Sequence, residues 1–243
     1  TTSLNDQYIF NLLLYTILKE NDIISSVFPK GVKRNKENTK GWLMSHFDVS
    51  AVRLYLYAIS KNADQQSLNK LTTYVQKKIE NKEFYSFWWT DFVYTLYYLF
   101  KASIYLKEDT IQSFVKNYIE ENYSFNKLTT SFKSNNFYIG MLLGIYCEDE
   151  GFYYKNKKNA QLIASQLIST QYEDGSWEST PSLRIFKPNI INPQEHLLDP
   201  VKDISTSRID KLFVDYNRLF TSSKCYESLQ QYKEVCEKTG IIF

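Results

Sequence analysis

The feature that most constrains this 243-residue chain is a repeat of about 43 residues. Long apolar segments with helical periodicity begin near Asp6, Asp48, Asp91 and Asn136, at offsets of 42, 43 and 45 residues. Polar amphipathic segments lie between or after them, at Ser67–Glu80, Thr110–Glu121 and Asn156–Thr170. A period of this length indicates an array in which each repeat is one helical hairpin.

The alternation of the two kinds of helix predicts the fold class. Helices that are apolar nearly all round belong inside and helices with one apolar face belong outside, so a curved double layer follows. Glycine and proline number only 7 and 5, which argues against a turn-rich sandwich or barrel. A last helix is expected from about Ser223 to Glu237. We therefore expect an all-α, single-domain α/α toroid of about five to six helical hairpins over residues 1–243.

Four of the five prolines fall between residues 178 and 217, at Pro181, Pro188, Pro193 and Pro200. Proline interrupts helices, so this stretch is expected to be an extended or irregular insertion. Forty residues without helix are unusual inside a compact domain and suggest a lid, a substrate collar or an arm that binds a partner.

Composition and charge exclude several classes of protein. The net charge of +2 provides no basic surface for nucleic acid. The longest apolar runs are about eleven residues, short of the roughly 20 that a membrane span needs. Three cysteines without CxxC spacing, together with two histidines, favour a reduced, cytoplasmic chain without a zinc site. Because the chain begins with Thr, we also expect a missing N-terminal segment or a protein partner.

One heptapeptide carries a resemblance to a known family. Gln171-Tyr172-Glu173-Asp174-Gly175-Ser176-Trp177 resembles the Q-x-x-D-G-S-W repeat motif of squalene cyclases, other class II terpene cyclases and protein prenyltransferase β subunits. Gly175 permits a tight turn, Gln171 can cap backbone groups at the helix end, and Trp177 can stack over those groups. With Asp174 these residues are expected to form a structural motif, and the 43-residue period fits the toroid of that family.

The resemblance implies a deep apolar cavity that holds an isoprenoid chain and guides carbocations past aromatic faces. The aromatic residues expected to bind substrate on the inner helices are Trp88, Trp89, Tyr94, Tyr98, Tyr55, Phe137 and Tyr138. Class II cyclases of this family begin the reaction with an aspartic acid in a D-x-D-D motif, which this sequence lacks. Asp91 is the first candidate for the catalytic acid and Asp48 the second, because a buried carboxyl at an inner-helix start would stay protonated. The alternative for both is an ionised helix N-cap.

No cofactor is expected. The family's prenyltransferases hold zinc with an Asp, a Cys and a His, and no family-like spacing surrounds Cys147, His196 or Cys225. The run Glu148-Asp149-Glu150 offers the carboxylate oxygens that magnesium prefers, and its other interpretation is an acidic loop after a helix.

The sequence therefore predicts a terpene cyclase-like enzyme. It would act on an isoprenoid or prenylated intermediate of specialised metabolism, by acid-initiated carbocation cyclisation in an aromatic-lined cavity. Two alternatives stay open: a non-catalytic toroid that binds an isoprenoid or docks on a protein partner, and a toroid reused to cyclise a non-terpenoid natural product.

Overall fold

A computed structural model describes residues 40–60, 63–123, 135–187, 189–200 and 210–240. The predicted apolar helix near Asp6 lies outside these ranges. The α-helices in chain order are α1 (Lys40–Leu43), α2 (Phe47–Ile59), α3 (Gln65–Glu80), α4 (Val93–Leu106), α5 (Asp109–Asn122), α6 (Asn136–Glu148), α7 (Glu150–Lys155), α8 (Lys157–Ser169) and α9 (Leu219–Lys238).

Helices α2, α4, α6 and α9 form the inner layer and contact one another in that order. Helix α6 is buried at every residue from Asn136 to Cys147, and α4 is buried from Val93 to Phe100. Their sequences are apolar on all faces, so burying them on one side only would leave apolar surface in water. The inner helices predicted near Asp48, Asp91 and Asn136 are confirmed as α2, α4 and α6.

Helices α3, α5 and α8 form the outer layer, against α2, α4 and α6 respectively. Each buries a single stripe. In α5 this stripe consists of Ile111, Val115 and Ile119, which recur every four residues and therefore share one face. The predicted alternation of apolar inner and amphipathic outer helices is confirmed for the described hairpins, while closure of the layers into a toroid stays a prediction.

Polar side chains mark several helix starts, where the first backbone N–H groups have no partner inside the helix. Asp64 accepts from the N–H of Ser67 at 2.9 Å before α3, and Asp149 accepts from the N–H of Phe152 at 2.6 Å before α7. These contacts fix the points at which the hairpins turn.

The stretch expected to be an extended or irregular insertion, 178–217, contains a small sheet that the all-α expectation did not include. Strand β1 (Leu183–Ile185) pairs antiparallel with β3 (Lys211–Phe213), and β2 (Asp199–Pro200) pairs parallel with β3. Strands of two or three residues leave no readable alternation in a sequence, and their pairing partners lie up to thirty positions away. The structure is therefore helical with one small sheet.

No helix in the described ranges is long and apolar enough to span a bilayer. Cys147, Cys225 and Cys236 are free thiols, and all three are buried.

Candidate functional site

A cavity of about 240 Å³ opens between the inner helices and the sheet. Its walls come from three parts of the chain: α4 and α6 with the turn before α4, the sheet, and the start of α9. The residues that line it are Trp89, Tyr94, Tyr98, Phe137, Met141, Ser182, Leu183, Phe213, Asp215, Phe220, Thr221, Ser223 and Lys224. This lining is mostly apolar, with polar groups concentrated in the last part of the chain.

Stacked aromatic rings form the helical wall. Trp89 stacks on Tyr94 with ring centroids 3.8 Å apart, and Phe137 lies 5.5 Å from the Trp89 ring. Tyr98 continues the row, 4.9 Å from Tyr94. The faces of such rings carry negative electrostatic potential, so a wall of this kind attracts cations as well as apolar chains.

The sheet wall is tied to the turn that carries Trp89. The N–H of Thr90 donates to the Ser182 carbonyl at 2.9 Å, and Leu183 forms a β-bridge with Trp89. The Arg184 guanidinium donates to the carbonyl oxygens of Ser86, at 2.5 Å, and of Trp89. These bonds hold Leu183 and its strand partner Phe213 over the cavity.

The third wall is polar because α9 begins there. Asp215 accepts from the backbone N–H groups of Leu219 at 3.2 Å and Thr221 at 2.9 Å, so its carboxylate satisfies two donors at the helix start. One turn further, Lys224 donates to the Tyr97 hydroxyl at 3.0 Å and to Glu227 at 2.5 Å. The Lys224 side chain also lies over the Tyr97 ring, 4.3 Å from its centroid.

Lys224 belongs to a buried network of charges behind the cavity. Glu227 also pairs with Lys101 at 3.3 Å, and Lys101 lies 3.9 Å from Glu148. Burial alone would raise the pKa of Glu227, but Lys224 and Lys101 outweigh it and lower that pKa to about 2. Burial alone would lower the pKa of Lys224, but Tyr97 and Glu227 raise it above its usual value. Both side chains therefore carry full charge at neutral pH.

Asp48 lies in the first turn of α2, near an inner-helix start as predicted, and the residue is 1% exposed. It accepts from the backbone N–H groups of Phe87 at 2.9 Å and Trp88 at 2.7 Å, and from the Ser86 hydroxyl at 3.2 Å. Burial raises its pKa, against the opposing effect of the Trp88 N–H. The carboxyl thus faces the turn of residues 86–88 rather than the cavity, and it positions the backbone that leads into Trp89.

Asp91 lies just before α4 and does not line the cavity either. Its carboxylate accepts from the N–H of Val93 at 2.8 Å and from the Tyr123 hydroxyl at 2.8 Å. The first contact is that of a helix-capping group, which was the alternative interpretation of this residue. As potential acids, Asp91 and Asp48 remain predictions.

Of the seven predicted substrate-binding aromatics, Trp89, Tyr94, Tyr98 and Phe137 line the cavity. The other three lie elsewhere. The Tyr138 hydroxyl donates to the Ser182 carbonyl at 2.9 Å beneath the sheet, and Tyr55 packs against Tyr98 from the side of Lys101. The Trp88 ring lies edge-on to Phe87, with their centroids 4.8 Å apart.

The heptapeptide motif forms a turn after α8, and hydrogen bonds from this turn link the end of α8 to the start of α9. Gly175 has φ = +81°, a left-handed conformation that favours glycine, and its carbonyl accepts from the Gln171 side chain at 3.0 Å. Asp174 accepts from the N–H of Ser176 at 2.9 Å. Trp177 is buried; its indole N–H donates to the Leu167 carbonyl of α8, and its backbone N–H donates to the Ser222 hydroxyl of α9.

The acidic run considered for magnesium does not converge on one point. Glu148 faces Lys101 and Gln231, Asp149 caps α7 and pairs with Lys116 at 3.1 Å, and Glu150 is exposed. Within the described ranges, no three His, Cys, Asp or Glu side chains are grouped so as to hold a metal ion.

Sequence reasoning missed the contributions of the sheet and of α9 to the site. Phe213, Phe220 and Lys224 lie more than seventy positions after Phe137, and no local pattern connects them to it. The available signal was the aromatic content around the start of the last helix, at Phe213, Tyr216 and Phe220.

No protein-family model matches the sequence, and no curated protein matches it. Solved structures do resemble it. A protein from Actinoplanes matches 81% of this chain and 58% of its own at 15% identity and a TM-score of 0.67. The type II terpene cyclase MstE from Scytonema matches 86% of this chain and 61% of its own at 18% identity and a TM-score of 0.62. MstE in complex with its substrate, geranylgeranyl dihydroxybenzoate, matches at 19% identity and a TM-score of 0.60.

The chain spans about three fifths of the length of these structures. At such identities the likeness concerns the fold. The chain therefore has a terpene cyclase-like fold, with an aromatic cavity between its inner helices and its sheet.

Proposed function

We propose that this protein is a terpene cyclase-like enzyme that takes the prenyl chain of an isoprenoid or prenylated compound into the cavity and cyclises it. The observation that carries the proposal is the row of stacked rings formed by Trp89, Tyr94 and Phe137. The terpene cyclase-like fold and the prenylated substrate of one structural neighbour support it.

The proposed reaction needs an acid, a dry chamber and faces that stabilise positive charge. The acid O–H adds its proton to one carbon of an alkene, the neighbouring carbon becomes the cation, and the next double bond attacks that cation. The last cation then loses a proton from a neighbouring carbon to the carboxylate left by the acid or to water, and a new double bond forms. Aromatic faces stabilise each cation by about 2 kcal/mol when water is excluded. The apolar side chains of Leu183, Phe213 and Met141 would help to exclude water from the cavity.

Asp48 is the candidate acid whose surroundings fit the requirement better, because burial raises its pKa and keeps a proton on it at higher pH. Its carboxyl lies behind the 86–88 turn, so protonation of a substrate would require that turn to move. Asp91, the first candidate from the sequence, becomes the second; it lies just before α4 and accepts from the N–H of Val93.

We expect Asp48→Asn to abolish turnover of a geranylated or geranylgeranylated substrate, and Asp91→Asn to do so if it is the acid instead. Product analysis by mass spectrometry measures turnover, and far-ultraviolet circular dichroism with thermal melting checks the fold. Asp109→Asn, at the start of outer helix α5, is the matched control and should keep full activity. Full activity in both candidate variants would contradict acid initiation by either residue.

One observation favours a second candidate function, a non-catalytic protein that binds an isoprenoid. Neither predicted acid lines the cavity, and the one carboxyl among the described lining residues, Asp215, is held by the backbone N–H groups of Leu219 and Thr221 at the start of α9. Native mass spectrometry separates the two functions. An enzyme releases an altered product from a prenylated substrate, whereas a carrier retains the ligand with its mass and structure unchanged.

A further inference from the structure

The cavity has two chemically different ends. Most of its aromatic and aliphatic lining comes from α4, α6, the turn before α4 and the sheet. Asp215, Thr221, Ser223 and Lys224 instead come from ten consecutive positions around the start of α9, which also include Phe220. A ligand that fills the cavity therefore meets apolar surface along one part and hydrogen-bonding groups along the other. An unbranched hydrocarbon chain satisfies only the first part.

Lys224 is the strongest donor at the polar end. An ammonium group has three N–H bonds, and Tyr97 and Glu227 accept two of them. Among the described residues, no acceptor occupies the third. The Lys224 side chain lines the cavity and is 14% exposed, which leaves this donor little access to bulk water. A ligand without an acceptor would cover it and leave it unpaired, at a cost in binding free energy.

The charges around Lys224 determine which acceptor fits. Lys224 and Lys101 contribute two positive charges, whereas Glu227, Glu148 and the cavity residue Asp215 contribute three negative ones. The local sum is one net negative charge, in surroundings where charges interact more strongly than in water. An anionic head group such as a diphosphate would be repelled, while a neutral oxygen is accepted.

We propose that the cavity selects prenyl compounds with a neutral, oxygen-bearing head group, a prenyl alcohol or a prenylated phenol, and that Lys224 Nζ donates a hydrogen bond to that oxygen. This inference rests on the proposed function, because it assigns a substrate class to the same cavity. It makes Lys224 a specificity-determining residue whose position is held by Glu227 and Tyr97.

Binding of four probes to the unaltered protein tests the head-group preference. The probes are geraniol, a geranyl-substituted phenol, geranyl diphosphate and myrcene, which share a ten-carbon chain and differ at its end. Their dissociation constants are measured by titration calorimetry and by the fluorescence of Trp89 and the other tryptophans. We expect both neutral oxygen-bearing probes to bind about tenfold more tightly than myrcene, and geranyl diphosphate to bind more weakly than geraniol.

Two lysine variants assign the preference to one side chain. Lys224→Met keeps the aliphatic stem and removes the donor, so the ratio of the myrcene and geraniol dissociation constants should fall about tenfold. Lys116→Met is the matched control, because Lys116 also pairs with a carboxylate, Asp149, but lies on outer helix α5 and does not line the cavity. It should keep the ratio of the unaltered protein.

The possible results are distinguishable. Binding of myrcene as tight as that of geraniol, or tightest binding of the diphosphate, would overturn the head-group inference and leave the proposed function standing. A failure of all four probes to bind would overturn the proposed function together with this inference. If Lys224→Met failed to fold, as shown by loss of its helical circular dichroism signal, the affinities of the four probes for the unaltered protein would still test the head-group preference.

Discussion

The carboxylates of this protein show how strongly a side chain depends on its neighbours. Asp48, Asp91 and Asp215 all lie near the start of an inner helix, yet one braces a turn, one caps a helix beside a tyrosine hydroxyl, and one lines the cavity. Sequence placed the first two at helix starts correctly. It could not show which way each carboxyl faces, because Trp88, Tyr123 and the other partners come from distant parts of the chain.

Glu227 gives a prediction about pH. Its pKa in the folded protein, about 2, lies below the ordinary 4.5, so ionised Glu227 contributes stability above pH 4.5 that is lost as the pH falls towards 2. We expect Glu227→Gln to lower the free energy of unfolding at pH 7 and to flatten its fall between pH 4.5 and 2. Urea unfolding over that pH range measures both effects.

The control for this prediction is Glu237→Gln on the same helix. The Glu237 side chain is 63% exposed and pairs with Lys233 only at 3.8 Å, so its loss should change stability by less than about 0.5 kcal/mol. If the two variants had the same pH profile, the buried network would not be the source of the stability.

At the scale of elements, the sequence predicted the inner and outer helices because each carries its own periodicity. Alternation of apolar and amphipathic segments was enough to place α2 to α6 and α8. The sheet and its place over the cavity could not be found in this way, because strands β1 and β3 are three residues each and β1 is held by bonds to the turn around Trp89. The local sequence of 183–185 contains no sign of that partner.

The variant Gly140→Ala tests how closely α6 packs on α9. A Cβ atom there would lie 3.2 Å from the Cα and N atoms of Cys225, which are backbone atoms of the facing helix. Alanine favours the helix by about 1 kcal/mol over glycine, but overpacking against backbone costs about 1–3 kcal/mol. We expect Gly140→Ala to destabilise the protein by about 1 kcal/mol and to weaken ligand binding, because Cys225 adjoins Lys224. Thermal melting and the geraniol titration measure these two changes.

Gly151→Ala provides the contrast. Gly151 lies on α7, is exposed, and a Cβ atom there would meet only the Asp149 carboxylate at an ordinary 3.5 Å. The helix preference of alanine then acts without a clash, so this variant should be as stable as the unaltered protein or more so. Destabilisation of equal size at both positions would contradict the close approach of α6 and α9.

At the scale of the whole molecule, the cavity depends on Arg184. Its guanidinium links strand β1 to the carbonyl oxygens of Ser86 and Trp89, and so joins the sheet to the helical layers. We expect Arg184→Met to leave the helices folded but to weaken prenyl binding at least tenfold, because Leu183 and Phe213 would no longer be held over the cavity. Circular dichroism reports the first property and titration with geraniol the second.

Lys187→Met is the matched control for Arg184→Met. Lys187 lies in the same connection, is 60% exposed and pairs with the surface residue Asp210, so its replacement should leave binding unchanged. Weaker binding in both variants would show that the segment as a whole, rather than the guanidinium link, holds the cavity wall.

The divided origin of the cavity walls has a consequence for how the shape of the cavity can change. Residues of α4 and α6 that face the cavity share their helices with the buried core, so most changes there also disturb folding. The residues of β1 and β3 are only half-buried, and a change of size at Leu183 or Phe213 reshapes the chamber without replacing any residue of the helical layers. Evolution, or a designed library, can therefore vary the shape of the cavity at these two strands while the helical frame stays the same.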